Sequence, residues 1–256
     1  MDNSATRWCD GPITASSNLG SATLSHMFIT RVRLDSLDGL PAWVQALPAV
    51  RSLYHEPLPL SAVTIVTGDN GAGKSTLMEA LAVAMRVNVE GGSRHARFSL
   101  AHEKHELGRA LVVTRERNPK DVFFVRGETF LHLGLYYASL GGPFAELPDL
   151  SHGQGLMEVY RERLDDGLVL LDEPEDGLSV FRQLELLGLL WHVVRRGGQV
   201  VMATHSPVLM SIPGATLLEV GAHGVVPVDF DEVEAVRAWQ EFIADPRGTT
   251  RYLLAD

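Results

Sequence analysis

A loop of nine residues in the first third of the chain has the residue types and spacing needed to hold a triphosphate. It follows the pattern Gly-x-x-x-x-Gly-Lys-Ser and consists of Gly68, Asp69, Asn70, Gly71, Ala72, Gly73, Lys74, Ser75 and Thr76. Glycines let backbone N–H groups surround phosphate oxygens, and a helix that starts here adds partial positive charge. We expect Lys74 to reach the β- and γ-phosphates and Ser75 to hold Mg²⁺, with Thr76 beside it. The loop therefore predicts binding of ATP or another nucleoside triphosphate together with Mg²⁺.

Two adjacent carboxylates follow a wholly apolar segment farther along the chain. Asp172 and Glu173 come directly after residues 168–171, which are too apolar for a strand with one solvated face. Ligands bind at the carboxyl edge of parallel sheets, so Asp172 is predicted to lie near Mg²⁺. Glu173 would face the attacking water and is the candidate general base or water-orienting residue. A solvated turn would explain these acids in isolation, but the phosphate loop upstream favours the catalytic interpretation.

A histidine follows a second apolar segment. His205 comes after residues 200–203 and precedes Ser206 and Pro207. An imidazole at this edge could bond the γ-phosphate or the attacking water, which makes His205 a candidate catalytic residue. The local sequence alone favours a structural histidine that ends a strand; the other motifs favour the functional interpretation.

The elements predicted around these residues alternate between strands and helices. Strands are predicted at 28–34, 63–66, 122–125, 168–171 and 200–203, with a hairpin of 216–220 and 225–230. Helices are predicted at 76–87, 102–113, 154–164, 178–196 and 231–243, and the proline-rich residues 36–60 are predicted to be irregular. Such alternation indicates an α/β fold with a mainly parallel sheet flanked by helices.

Length and composition predict one ATPase-sized domain. The chain has 256 residues, of which 27–256 are expected to form a single domain and 1–26, rich in Ser, Thr, Asn and Gly, a disordered tail. A tail that orders on binding a partner is the alternative. Cys9 is the single cysteine, which suits a reducing cytoplasm. No apolar run reaches the ~20 residues that a membrane span requires.

Charge argues against nonspecific binding to nucleic acid or to anionic membranes. The formal net charge is −10, so nucleic acid remains a conceivable partner without support from the overall charge. Residues 86–126 hold nine Arg or Lys against five Asp or Glu. This stretch is either a local basic patch or, as charge runs more often are, a solvated surface.

The set of motifs resembles the ABC-type ATPases. Residues 150–154 read Leu-Ser-His-Gly-Gln, similar to the signature Leu-Ser-Gly-Gly-Gln of that family, with His152 in place of the first glycine. The resemblance implies that Ser151 and Gly153 contact the γ-phosphate of ATP bound to an opposite subunit. Residues 175–179 resemble the loop that packs across the dimer interface.

A closer resemblance is to compact bacterial AAA-type ATPases, single-domain relatives of the SMC and DNA-repair ATPase heads. Members of that group read Ser-His-Gly-Glu, Asp-Glu-Pro-Glu and Ala-Thr-His-Ser-Pro, and this chain has Ser-His-Gly-Gln at 151–154, Asp-Glu-Pro-Glu at 172–175 and Ala-Thr-His-Ser-Pro at 203–207. It extends from Phe28 to the C-terminus. The implied fold is a P-loop NTPase with an ABC-ATPase-like head that includes a smaller antiparallel β portion.

One departure from the ABC pattern concerns the metal. ABC ATPases carry a glutamine between the phosphate loop and the signature that touches Mg²⁺ and the water, but no glutamine lies between Gln45 and Gln154. Glu128 is the best substitute because a carboxylate oxygen can coordinate in the same way. A surface turn residue is the alternative, and the aromatic residue that stacks on adenine is not identified.

Three functions remain in view. The first is an Mg²⁺-dependent ATPase in which ATP closes a homodimer and hydrolysis opens it. The second is the ATP-binding subunit of a membrane transporter, from which the signature and the missing glutamine depart. The third is a nucleotide-gated DNA-binding module, but this chain has too few residues between loop and signature for the long coiled coil of the DNA-repair relatives.

Overall fold

The computed structural model describes residues 27–93, 105–141, 144 and 147–255. The predicted tail and part of the basic stretch lie outside these residues. Ten strands are β1 Ile29–Leu34, β2 Leu58–Pro59, β3 Val63–Gly68, β4 Gly92–Ser93, β5 Leu111–Arg115, β6 Val122–Arg126, β7 Leu168–Asp172, β8 Gln199–Ala203, β9 Thr216–Gly221 and β10 Gly224–Val228, counted over the described ranges. Ten α-helices, counted likewise, are α1 Ala42–Ala46, α2 Pro48–His55, α3 Lys74–Ala84, α4 Glu106–Ala110, α5 Phe130–Leu140, α6 His152–Arg163, α7 Val180–Arg195, α8 Pro207–Met210, α9 Glu234–Ala244 and α10 Pro246–Leu253.

The larger sheet has seven strands in the order β10-β9-β3-β8-β7-β6-β4. Neighbours from β9 to β6 pair in parallel, and the two outer strands β10 and β4 pair antiparallel. The α/β prediction of a mainly parallel sheet is confirmed. Because β3, β7 and β8 are parallel, their carboxyl ends meet at one edge, where the predicted site residues follow them.

Apolar side chains cover both faces of this sheet. Alternate residues of one strand point to opposite faces, so Val66 packs with α3 while Ile65 packs with α6 and α7. Leu170 and Leu171 divide between the two clusters in the same way. Burial on both faces explains why these strands are continuously apolar rather than alternating.

A smaller antiparallel sheet has the order β2-β1-β5. One buried side chain joins it to the larger sheet. The Oε1 atom of Gln199 accepts from the N–H groups of Phe28 and Ile29, both at 3.0 Å. Its Nε2 atom donates to the carbonyl oxygens of Ile29 at 2.7 Å and Ser61 at 2.8 Å. The antiparallel β portion that the family resemblance implies is therefore present and is held at β8.

Several predicted elements differ from the structure. The prediction that residues 36–60 are irregular is wrong, because they form α1 and α2. Pro48 occupies the first turn of α2, where the missing N–H has no helical partner to lose. Residues 102–113 were predicted as one helix, but the described part contains the short α4 followed by β5, in which Val112 and Val113 favour a strand. Helices α5 and α10 were not predicted.

Candidate nucleotide-binding site

The phosphate loop leaves β3 and opens α3, as its motif requires. Gly68, Gly71 and Gly73 have φ angles of 121°, 77° and 99°, in the region that glycine tolerates best. A Cβ atom on Gly68 would lie 2.2 Å from the carbonyl oxygen of Val220 on β9, so a side chain is excluded there. Asp69, Asn70 and Gly71 form the exposed tip, whereas Ala72 and Gly73 are buried against the α2 segment.

Lys74 is the first residue of α3 and is only 4% exposed. Its Nζ atom donates to the carbonyl oxygens of Gly68 and Asp69, both at 2.8 Å. Burial lowers the pKa of the lysine, and the nearby carboxylates of Glu173 and Asp172 oppose this shift. The ammonium group therefore lies inside the loop with acidic residues facing it, in the position from which it could reach bound phosphates.

Asp172 ends β7 at the same edge of the sheet and is 2% exposed. Burial raises the pKa of its carboxyl group to about 7, an effect that Arg126 and the Ser75 hydroxyl reduce. Its Oδ2 atom is 3.5 Å from Nε of Arg126. Its Oδ1 atom is buried and has no hydrogen-bond partner among the described residues.

These groups fit the needs of Mg²⁺. A magnesium site in a nucleotide-binding protein takes one or two protein oxygens, the rest of its ligands being phosphates and water. The unpartnered Oδ1 of Asp172 and the neighbouring hydroxyl of Ser75 provide such oxygens.

Glu173 follows Asp172 with a φ angle of 48°, which is uncommon for a residue other than glycine. Its N–H group donates to the carbonyl oxygen of Ala203 at 2.9 Å, so the turn is fixed to the end of β8. Its Oε1 atom lies 3.9 Å from Nε2 of His205, and both side chains are about one-third exposed, at 34% and 36%. Strained backbone held in this way is typical of functional turns.

His205 is held by a carboxylate that the sequence analysis did not single out. The backbone N–H of His205 donates to Oε1 of Glu175 at 2.7 Å. Burial raises the pKa of Glu175, whereas burial and then the charge of Lys74 lower the pKa of the imidazole. The Nε2 atom of His205 is buried without a hydrogen-bond partner in the part of the chain that the structure describes. The lowered pKa favours the neutral form of this imidazole, which lies beside Glu173.

The signature residues begin α6 and contact that helix and the 175–179 loop. Ser151 is exposed and caps α6, and its N–H group donates to Oε1 of Gln154 at 3.0 Å. A Cβ atom on Gly153 would lie 2.5 Å from the carbonyl oxygen of Gly177, so α6 packs closely on the 175–179 loop. Within the described ranges, no hydrogen bond joins Ser151 to the phosphate loop. The structure thus brings together Lys74, Ser75, Asp172, Glu173 and His205, whereas Ser151 and Gly153 contact Gln154 and Gly177, respectively.

Glu128 is paired with a cation rather than left free at the metal position. Its Oε2 atom accepts from Arg126 at 2.8 Å, and its side chain is 68% exposed. Arg126 also forms ion pairs with Glu79 and Asp172. Arg126 was not predicted at the site, because only the strand register places it directly opposite Asp172. The role of Glu128 as a metal ligand stays a prediction.

A small cavity of about 90 Å³ adjoins Thr76. Its walls include Trp43 of α1, Ala80 of α3 and Leu107 of α4. Trp43 is 64% exposed, although it is a large aromatic residue close to the phosphate loop. The cavity therefore offers an aromatic wall on the Thr76 side of the loop.

The described cations of the basic stretch 86–126 are mostly engaged within the chain. Arg115 donates to the carbonyl oxygen of Ala84, and Arg117 to that of Gly197. Lys120 pairs with Asp166 at 3.6 Å. Arg94, Arg97 and Lys104 lie outside the described residues. This arrangement fits a solvated surface better than a single basic patch. As to membranes, the helices within the described ranges lack the length and apolar character needed to cross a bilayer.

Comparisons with known proteins relate the chain to nucleotide-binding proteins. Residues 153–211 match the family described as "AAA domain, putative AbiEii toxin, Type IV TA system". Over 170 residues the chain is 34% identical to the cytochrome c biogenesis ATP-binding export protein CcmA of Mesorhizobium japonicum, which covers 60% of this chain and 82% of that protein. Over 138 residues it is 30% identical to UvrABC system protein A of Synechocystis sp., which covers 48% of this chain and 14% of that protein. It is also similar to the SMC head domain from Thermotoga maritima, at a TM-score of 0.45 and 14% identity, over 79% of this chain and 100% of that one.

Proposed function

The chain belongs to the ABC-type family of P-loop ATPases, and we propose that it hydrolyses ATP with Mg²⁺ at composite sites closed by two copies of the chain. The observation that carries this proposal is the division of the site. Lys74, Asp172, Glu173 and His205 converge at one sheet edge, whereas Ser151 is exposed and, among the described residues, is hydrogen-bonded to Gln154 rather than to them. The converging residues can bind a nucleotide and activate the attacking water. The exposed Ser151 can contact a nucleotide that is bound to the other copy.

The phosphate loop binds the nucleotide. Its backbone N–H groups and the ammonium of Lys74 face the β- and γ-phosphates, because the loop turns inward at its glycines. Ser75 and Asp172 would hold Mg²⁺. When bound, this ion supplies charge neutralisation on the β- and γ-phosphates.

The turn after β7 carries the residue that promotes hydrolysis. The oxygen of a water molecule attacks the γ-phosphorus as the bond to the β–γ bridging oxygen breaks, and the water proton passes to Glu173. The free Nε2 atom of His205, 3.9 Å from Oε1 of Glu173, is placed to orient that water or contact the γ-phosphate. Glu175 acts as a positioning residue, because it fixes the backbone of His205.

The second half of each site comes from the other copy. Ser151 and Gly153 lie at the exposed start of α6, where the hydroxyl, the N–H groups and the helix dipole suit a γ-phosphate. The 175–179 loop packs against Gly153 and begins two residues after Glu173 in the chain. A movement of the signature on closure would therefore also move the catalytic turn.

Trp43 is our candidate for the aromatic residue that stacks on the purine base. It forms a wall of the cavity beside Thr76, and stacking on an aromatic residue contributes about 1–3 kcal/mol per base. We expect Trp43→Ala to raise the dissociation constant of ATP by about five- to 150-fold, and Trp43→Phe to raise it little. Titration of both variants with a fluorescent ATP analogue measures this; equal affinity of Trp43→Ala and the unmodified protein would remove Trp43 from the base site.

We also propose that residues 27–256 act as one cytoplasmic ATPase domain. The apolar clusters on the two faces of the main sheet draw on residues from Phe28 to Val236, which supports a single folding unit. The single cysteine, Cys9, suits a reducing compartment.

The deciding experiment is the solution mass of Glu173→Gln with and without Mg²⁺-ATP. We expect turnover to fall by roughly a thousandfold, because the general base is lost, while ATP binding continues and a closed dimer accumulates. Glu162→Gln changes an exposed glutamate in the same way and should keep normal turnover. Normal turnover of Glu173→Gln would disprove its catalytic role.

A second candidate is the ATP-binding subunit of a membrane transporter, which the likeness to an ATP-binding export protein favours. The same experiment separates the two. If Glu173→Gln binds ATP yet stays monomeric, the exposed signature needs a different partner chain, and the transporter subunit becomes the better account.

A further inference from the structure

The first two turns of α7 expose three large apolar side chains next to the 175–179 loop. Val180, Phe181 and Leu184 are 59%, 77% and 41% exposed. They are close together in sequence at positions i, i+1 and i+4, and an exposed phenylalanine beside two aliphatic residues is costly to leave in water. We call these three residues the α7 apolar surface.

Ion pairs border this surface on one side. Arg182 pairs with Glu185 at 2.6 Å, and Glu185 is also an ion-pair partner of Arg161 on α6. Apolar residues with a charged rim are the usual composition of a protein–protein contact. Phenylalanine is also typical of the apolar centre of such contacts.

The surface continues directly into the half of the site that faces outward. Residues 175–179 precede α7 in the chain and pack on Gly153, whose neighbour Ser151 is exposed. A molecule that reaches Ser151 therefore also comes close to the start of α7.

Charge and symmetry point to a second copy as the occupant. The chain has a net charge of −10, so a contact that brought acidic residues of two copies together would add to their repulsion, whereas an apolar contact adds none. Near a twofold axis, equivalent residues of the two copies face each other, which suits apolar side chains and disfavours like charges. The α7 apolar surface meets both conditions.

Hydrogen bonds of Gln183 connect the same helix to the segment that carries His205. Gln183 donates through Nε2 to the carbonyl oxygen of Leu178 at 3.0 Å, and its Oε1 atom accepts from the hydroxyl of Ser206 at 2.7 Å. Ser206 is the residue after His205. The start of α7 thus connects an outward apolar surface with the segment that carries the imidazole.

We propose that the α7 apolar surface is the hydrophobic contact between two copies in the ATP-bound state, and that Gln183 couples this contact to His205 through Ser206. The proposal rests on the proposed function, since it assigns the partner surface of the same composite site. It predicts that the surface stabilises the closed dimer without contributing to the binding of ATP by one copy.

The test compares Phe181→Asp with Tyr252→Asp, both made in the Glu173→Gln chain. Tyr252 is an aromatic residue of α10 that is 82% exposed, so the two changes match in kind and in exposure. With saturating Mg²⁺-ATP, we expect the dimer dissociation constant to rise on the order of a hundredfold for Phe181→Asp and to stay unchanged for Tyr252→Asp. ATP affinity of the monomer and the melting temperature should match the parent in both variants.

Each outcome decides between the two proposals. If Phe181→Asp dimerises as tightly as its parent, the α7 apolar surface is not the contact between copies, while the composite site stands. If the parent Glu173→Gln binds Mg²⁺-ATP and remains monomeric, the homodimer itself fails and the α7 contact fails with it.

If Phe181→Asp weakens the dimer as expected, Gln183→Ala should reduce turnover of the otherwise unmodified chain without changing ATP affinity. Unchanged turnover would overturn the coupling through Ser206.

Discussion

The phosphate-loop half and the signature half of the site differ in how completely the chain itself supports them. Lys74 and Asp172 are 4% and 2% exposed and are held by carbonyl oxygens or by a guanidinium group. Ser151 is exposed, and its nearest support is Gln154 of its own helix turn. Contacts within the folded chain position the phosphate-loop half. The signature half contacts the chain through Gln154 and the 175–179 loop, and Ser151 is exposed to solvent.

The two halves serve different steps of the reaction cycle. A buried ammonium and carboxylate are preorganised, so little rearrangement is needed when charge develops on phosphate. An exposed helix start gains its value only when an anion is brought to it. The comparison therefore separates binding, which one chain can do, from turnover, which we propose needs two.

The substitution Ser151→Arg tests the signature half. We expect turnover to fall on the order of a thousandfold, because an arginine at the exposed start of α6 blocks approach of the second copy, while ATP binding by one chain persists. Steady-state hydrolysis and equilibrium titration with ATP measure the two effects. Ser211→Arg, at another exposed serine, is the matched control. Dimer formation by Ser151→Arg with Mg²⁺-ATP would contradict the composite site.

Lys74→Ala tests the opposite half. Loss of the cation facing the β- and γ-phosphates should weaken ATP binding by about a hundredfold, since charge-assisted hydrogen bonds to phosphate are lost. The control is Lys120→Ala, because the Lys120 side chain is 88% exposed. Isothermal titration distinguishes them, and wild-type affinity in Lys74→Ala would show that the loop does not bind through its lysine.

The smallest expected effect concerns the acidity of Asp172. Its pKa is raised to about 7, so between about pH 4 and pH 7 the folded chain keeps a proton that the unfolded chain releases. This group therefore stabilises the fold at low pH and ceases to do so as pH rises through 7. In EDTA, Asp172→Asn should raise the melting temperature relative to the unmodified chain by roughly 5 °C more at pH 8 than at pH 5. An equal difference at both pH values would show that the carboxyl group titrates normally.

Much of the main sheet could be predicted because several of its strands contain short, wholly apolar segments. Segments 168–171 and 200–203 have only one plausible environment, a sheet covered on both faces, and the phosphate loop fixes the position of the strand before it. The helix after the loop was predicted because the phosphate-loop motif opens a helix, and α3 begins at Lys74 within the motif.

Other features depend on contacts between residues that are distant in sequence. Arg126 reaches Asp172 only because β6 and β7 pair in one particular register, which no local pattern specifies. Glu175 looked like part of a turn, and only the fold shows that it holds the backbone of His205. Helix α5 was missed because it is apolar around much of its circumference and lacks the periodic contrast that identifies a surface helix.

The four hydrogen bonds of Gln199 also bear on the order in which the chain acquires its structure during synthesis. Strand β1 can pair with β5 once Arg115 has been made, but the small sheet lacks its anchor until Gln199 emerges. At about 5–20 residues per second, roughly ten seconds of translation separate these two events. The first strand to be synthesised is therefore among the last to be fixed in place, and a ribosome that pauses before residue 199 leaves it unanchored.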